Sequence, residues 1–85
     1  MDLAELREQI DRIDEGLLRL FEERMDVSLQ IGQFKKAHDL PVLDAVRERD
    51  KLNAIADKAG EELRPSVRRL YSLLFELSRA YQEDL

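Results

Sequence analysis

The sequence contains no cysteine and no tryptophan, and it has only three glycines, two prolines and one histidine in 85 residues. The absence of cysteine excludes a disulfide framework, a thiolate metal site and a cysteine nucleophile. No apolar run approaches the roughly 20 residues that a membrane span needs, and the acidic N-terminus does not resemble a signal peptide. We therefore expect a protein without disulfides that resides in the cytoplasm.

Positive charge is also in deficit. The chain has 14 Lys and Arg residues against 19 Asp and Glu residues, which gives a net charge of −5. Because nucleic acids and anionic membranes bind to a dominant basic surface, this balance argues against both partners. The length suits one small domain, and no repeat or low-complexity linker divides the chain. We therefore take residues 1–85 as a single domain.

What the sequence does contain is a long series of apolar residues at helical spacing. A capping-box pattern at Asp2 and Glu5 starts the first predicted helix, which continues to about Lys36. Its apolar positions follow alternating steps of three and four, and they are Leu3, Leu6, Ile10, Ile13, Leu17, Leu20, Val27, Ile31 and Phe34. We call this series the apolar seam. Such a helix, about 51 Å long, would extend far beyond a compact domain of this size and needs a partner helix.

Two further helices follow the first. The second is predicted from the N-cap Asp44 to about Lys58, where Gly60 ends it, and the third from Pro65 to about Glu83. The apolar side of the third helix, which we expect to be buried, comprises Val67, Leu70, Leu73, Leu74, Leu77 and Tyr81. The sequence thus predicts an all-α fold with a long, a short and a medium helix. Two such chains are expected to form a helical homodimer.

Two cations lie on the side of the first helix where apolar residues are expected. Arg24 interrupts the seam between Leu20 and Val27, and Lys35 lies 11 residues further on, about three turns, so that both face the same way. A buried guanidinium costs several kcal/mol unless an anion meets it. A glutamate of a partner helix is one such anion, and a bound ligand is the other.

Further polar residues occupy the later helices. Asp44, Arg47 and Glu48 lie at the start of the second helix, and Ser78 and Gln82 lie four residues apart beside the apolar side of the third. Each has a structural explanation when taken alone: an N-cap, first-turn or surface charges, and polar residues at the edge of a core.

In combination, these features resemble a known family. The segments that carry the resemblance are Leu6-Arg7-Glu8 with Ile10, Ile13-Asp14, Glu23-Arg24, Ile31-Gly32 with Lys35, Pro41-Val42, Asp44, Arg47-Glu48-Arg49, and Ser78 with Gln82. Their order and spacing resemble the chorismate mutases of the all-helical AroQ class over nearly the whole chain. The resemblance implies an intertwined homodimer of three-helix chains that converts chorismate to prephenate, in phenylalanine and tyrosine biosynthesis, without a metal or cofactor.

The resemblance also implies a set of site residues. The substrate-binding residues would be Arg7, Arg24, Lys35, Asp44, Arg47, Glu48, Ser78 and Gln82. Among them, Arg24, Lys35 and Gln82 would be catalytic, and Arg7 would reach into the site of the partner chain. The acidic residues at the start of the second helix, such as Glu48, would lie near the substrate hydroxyl, with Arg47 in a supporting position.

The implied reaction accounts for these residue types. Chorismate is a dianion that rearranges in one unimolecular step, so the reaction needs no nucleophile, metal or redox group. It needs an enclosed site that holds the substrate folded and stabilises charge on the breaking ether oxygen. Arginine suits carboxylates, because it donates two parallel hydrogen bonds, whereas lysine and a neutral amide suit a single oxygen.

Two other functions remain open at this point. One is a lyase of the same fold that releases pyruvate from isochorismate, although Asp44, Glu48 and the Arg47-Glu48-Arg49 run favour the mutase. The other is a helical dimerisation module without catalysis, which leaves Lys35, Ser78 and Gln82 unexplained. The chain is also compatible with one domain of a larger enzyme that processes prephenate.

Overall fold

The computed structural model describes all 85 residues, Met1 to Leu85, and it contains three α-helices and no strand. The helices are α1 (Leu3–Ala37), α2 (Ala45–Lys58) and α3 (Arg64–Glu83), and a 3-10 turn at Glu61–Leu63 precedes α3. The all-α prediction of a long, a short and a medium helix is confirmed, with helix bounds within one residue of those expected.

Local hydrogen bonds explain where the helices begin. The carboxylate of Asp2 accepts from the backbone N–H of Glu5 at 2.8 Å, and that of Asp44 accepts from the N–H of Arg47 at 3.0 Å. Each bond satisfies one of the donors that the first turn of a helix leaves unpaired. Only half of the predicted capping box forms, because the Glu5 carboxylate makes no hydrogen bond in return.

The end of α1 is fixed by a Schellman turn. Asp39 takes the left-handed conformation with φ of 54°, and the N–H of Leu40 returns to the carbonyl of Lys35 at 2.8 Å. This arrangement satisfies carbonyls at the helix end and reverses the direction of the chain. As a result, the loop before α2 folds back over the last turn of α1.

Helix α3 packs against both other helices, which make no close backbone approach to each other. Side-chain bonds join Arg24 to Ser78 and Ser28 to Gln82, so partners four residues apart on α1 meet partners four apart on α3. The two sequence positions increase together, and α3 therefore runs parallel to the C-terminal half of α1. The pairs Asn53–Arg68 and Glu48–Arg79 show that α2 and α3 run antiparallel.

The single chain is elongated and has almost no core of its own. It measures 54 × 26 × 15 Å with a radius of gyration of 15.9 Å, against about 12 Å for a compact domain of this length. Only six residues are buried, and among the large apolar side chains only Phe75 is. Every residue from Met1 to Leu20 except Gly16 is exposed.

The predicted burial of the apolar side of α3 is wrong for a single chain. Four of its six residues are exposed: Leu70, Leu73, Leu77 and Tyr81. All nine residues of the apolar seam of α1 are exposed as well. The physical reason is that three helices side by side leave one face uncovered.

None of the helices has a stretch that is long and apolar enough to cross a lipid bilayer.

Candidate active site

A cleft of about 420 Å³ lies between the C-terminal half of α1, the start of α2 and the C-terminal half of α3. The structure brings seven of the eight predicted site residues together in its lining: Arg24, Lys35, Asp44, Arg47, Glu48, Ser78 and Gln82. Arg7 lies 17 residues before Arg24 on α1, outside this cleft. The roles of all eight toward a substrate stay predictions.

Arg24 is held at the wall of the cleft by two contacts with α3. Its Nη1 donates to Ser78 Oγ at 2.7 Å, and its guanidinium carbon lies 5.9 Å from the centre of the Phe75 ring. The second distance is within the range of a cation–π interaction. Because one guanidinium nitrogen is engaged and the plane is supported by the ring, the remaining N–H groups have a defined direction for an anion.

Lys35 lies on the same wall, close to the loop before α2. Its Nζ donates to the carbonyl oxygen of Val42 at 2.8 Å. An ammonium group has three N–H donors, so two remain available to a ligand. The bond to Val42 holds the lysine head at the cleft instead of in solvent, and it is made possible by the turn at Asp39 that folds the loop back.

The start of α2 contributes the acidic side of the cleft. Asp44 caps the helix through the N–H of Arg47, and the Glu48 carboxylate accepts from Arg79 of α3 in an ion pair of two half-buried side chains. The sequence interpretation missed Arg79. A signal was present, because Arg79 directly follows Ser78, but its pairing depends on the approach of α2 to α3.

The sequence interpretation also missed Lys51, which lines the cleft one turn after Arg47. The i, i+4 spacing from Arg47 is the signal that would have found it. Four cationic side chains and two carboxylates therefore line the cleft, and both carboxylates already have partners within the chain. The unpaired charge is positive, although the whole chain carries −5. An anion is the ligand that such a cleft favours.

The α3 side of the cleft includes two buried polar residues beside Phe75. Ser78 and Gln82 are each 9% exposed, and Gln82 Nε2 donates to Ser28 Oγ of α1 at 3.0 Å. A Cβ added at Gly32 would lie 2.8 Å from Gln82 Cγ, so the absence of a side chain at Gly32 is what lets Gln82 approach α1. The cleft thus combines charged donors with buried neutral polar groups.

Comparison with known proteins identifies the family. The chain matches the family described as chorismate mutase type II over residues 6–83. The chain belongs to this family. The resemblance seen in the sequence is therefore confirmed, and the three-helix chain with its cationic cleft is to be understood as a type II chorismate mutase domain.

Several relatives are longer than this chain. The bifunctional chorismate mutase/prephenate dehydratase of Escherichia coli (strain K12) is 36% identical over 98% of this chain and 22% of its own length. The protein of the same name from Aquifex aeolicus is 47% identical over 58% of the chain and 14% of its own length. The chorismate mutase of Methanocaldococcus jannaschii is 26% identical over 96% and 85%. The chain thus spans less than a quarter of the two bifunctional relatives.

Proposed function

We propose that this chain is a chorismate mutase, an isomerase that converts chorismate to prephenate in the biosynthesis of phenylalanine and tyrosine. The observation that carries the proposal is the convergence of Arg24, Lys35 and Gln82, from α1 and α3, on one cleft with an excess of positive charge. Membership of the chorismate mutase type II family supports it.

The chemistry asks little of the protein beyond shape and charge. The ether C–O bond of chorismate breaks while a C–C bond forms within the same molecule, and no proton or electron leaves it. Arg24 is suited to a carboxylate, and Lys35 and Gln82 are suited to the ether oxygen on which negative charge grows. Donors that face this oxygen once the substrate is bound interact more strongly with the transition state than with the ground state.

The acidic residues of α2 fit the remaining polar group of the substrate. Glu48 is held at the cleft by Arg79, and a carboxylate in this position accepts a hydrogen bond from the ring hydroxyl. Asp44 has the same chemistry one turn earlier, while Arg47 and Ser78 line the cleft as further donors.

We further propose that the active form is a homodimer joined through the apolar seam of α1. The seam is exposed along its whole length, and a chain of 85 residues with so few buried residues lacks the core that a small domain needs. Arg7 lies about 25 Å from Arg24 along α1, so that both serve one site only if Arg7 comes from an antiparallel partner. A fully active 10 kDa monomer in light scattering would contradict this.

A mixing experiment tests the contribution of the partner. Homodimers of Arg7→Ala and of Arg24→Ala would each be impaired at both sites. A mixed dimer has one site with both arginines and one with neither, because the two sites are related by twofold symmetry. Random exchange of subunits should restore about a quarter of the wild-type sites. No recovery, with exchange verified by a mass tag, would place Arg7 outside the partner's site.

Product analysis separates the mutase from its alternatives. The purified chain should remove the absorbance of chorismate and yield prephenate. Release of pyruvate from isochorismate, with chorismate untouched, would instead indicate the lyase. Inactivity of a folded dimer toward both compounds would leave the dimerisation module. The cytoplasmic location expected from the sequence stays a prediction that cell fractionation checks.

A further inference from the structure

The side-chain amide of Gln82 is buried and makes one hydrogen bond, although its nitrogen and oxygen could make several. Its Nε2 donates to Ser28 Oγ at 3.0 Å, while its Oε1 is buried and has no hydrogen-bond partner. A buried acceptor without a partner is unfavourable, and most such atoms in folded proteins are satisfied. The contact with Ser28 is the only side-chain hydrogen bond that Gln82 makes, so Ser28 determines what the amide can do.

The hydroxyl of Ser28 fits either end of the amide. A serine hydroxyl both accepts and donates, whereas the amide carries an acceptor at Oε1 and donors at Nε2. A half-turn of the terminal torsion of Gln82 exchanges the two ends. Ser28 then donates to Oε1, and Nε2 takes the position where Oε1 has no partner. The second arrangement satisfies the buried oxygen and leaves a donor for a ligand.

The close approach of Gln82 to α1 fixes the stem of its side chain beside Gly32. Ser28 is 5% exposed and lies one turn before Gly32 on α1. A Cβ at Gly32 would be 3.0 Å from Gln82 Cβ and 2.8 Å from Gln82 Cγ. The stem of Gln82 therefore lies directly against the backbone of α1, and a half-turn of its terminal torsion moves only the amide at its end.

We propose that Ser28 is a positioning residue for Gln82. Its hydroxyl accepts from Nε2 in the free chain and donates to Oε1 when a substrate oxygen that gains negative charge during the reaction is bound, so that Nε2 faces that oxygen. The reason lies in the cations of the wall: Arg24 and Lys35 attract an anionic oxygen, which an amide oxygen at the same place repels. The inference rests on the proposed mutase function for the identity of that oxygen, which is the ether oxygen of chorismate, neutral in the bound substrate and increasingly negative as the C–O bond breaks.

A double-mutant cycle tests the kinetic part of the proposal. We expect Ser28→Ala to lower kcat about five- to tenfold, the worth of one hydrogen bond, with a smaller change in KM. In the background of Gln82→Ala the same change should alter kcat by less than about twofold, because the amide that it positions is gone. Ser66→Ala, which removes an exposed hydroxyl of α3, should behave as the unmodified protein.

Equal losses of kcat from Ser28→Ala in both backgrounds would overturn the proposal, since Ser28 would then act on the substrate or on the fold directly. The same holds if KM alone rises. An unmodified protein that does not convert chorismate would refute the mutase function instead, and the two failures are thus distinct.

A spectroscopic measurement tests the exchange without relying on turnover. In 15N-labelled protein, the side-chain amide signals of Gln82 are those that disappear in Gln82→Glu. Adding prephenate should shift them strongly in the unmodified protein and weakly in Ser28→Ala. Unshifted signals in the unmodified protein, or equal shifts in both, would show that Ser28 does not control the amide.

Discussion

The substitution Gly32→Ala separates the stability of α1 from the placement of Gln82. Alanine in place of glycine inside a helix stabilises it by about 1 kcal/mol. At Gly32, however, the new Cβ would lie 2.8 Å from Gln82 Cγ and 2.8 Å from Leu85 Cδ1. The leucine end is flexible and can move aside, but Gln82 Cγ is close to the backbone of α3. The helix or the glutamine stem must shift by several tenths of an ångström.

The gain in helix propensity raises the free energy of unfolding, whereas the clash with Gln82 lowers it. Only the clash is expected to affect activity, which it should lower. Overpacking costs about 1–3 kcal/mol, so the free energy of unfolding should stay unchanged or fall by up to about 2 kcal/mol. Activity should fall much further, because a displacement of about 1 Å at a catalytic group can cost a hundredfold in rate. We expect kcat to fall at least tenfold while the helical content is retained.

Gly16→Ala is the matched control on the same helix. Apart from its chain neighbours and its own helix backbone, no atom of the chain lies within 4 Å of a Cβ at Gly16, so within one chain this variant gains helix propensity alone. Urea denaturation and initial rates of chorismate loss are measured for both variants and the unmodified protein. If Gly32→Ala matches Gly16→Ala in both measurements, Gly32 does not position Gln82 and the reasoning is refuted.

Three other substitutions test single roles in the cleft. Lys35→Ala should lower kcat about a hundred- to a thousandfold, which is the contribution of one preorganised donor to a developing oxyanion. The control Lys36→Ala should leave kcat unchanged. A rise in KM alone for Lys35→Ala would make Lys35 a carboxylate anchor. Glu48→Gln should retain much of the activity because its amide oxygen still accepts, whereas Glu48→Ala loses more; equal and negligible effects would leave Glu48 a structural partner of Arg79. Gln82→Glu should be active only at low pH, where the protonated carboxyl donates, and a rate independent of pH would argue against a contact with the ether oxygen.

The helices could be predicted from the sequence because their signals are local. The caps at Asp2 and Asp44, the proline in the first turn of α3 and the period of the apolar residues all lie within a few residues of the feature that they determine. The grouping of Arg24 with Lys35 was also predictable, because both lie on one helix whose geometry is fixed by the sequence spacing alone.

Contacts between helices could not be predicted from the sequence. The bond from Gln82 to Ser28 joins residues 54 apart in the sequence, and the pair Glu48–Arg79 joins α2 to α3. Both depend on the register of one helix against another, for which helical periodicity carries no information. Resemblance to a family supplied Gln82 as a site residue, but it supplied neither Ser28 nor Lys51.

The near absence of a core within one chain has a consequence for the folding of the proposed homodimer. Only Ala56 and Phe75 are buried as apolar side chains, so in the proposed homodimer most of the hydrophobic stabilisation would come from surface that the second copy covers. For such a protein, folding and association form one equilibrium governed by mass action, and no single melting temperature describes it. Dilution of the proposed homodimer should therefore unfold it, and the amount of protein in a cell would set not only how many sites exist but whether each site is formed.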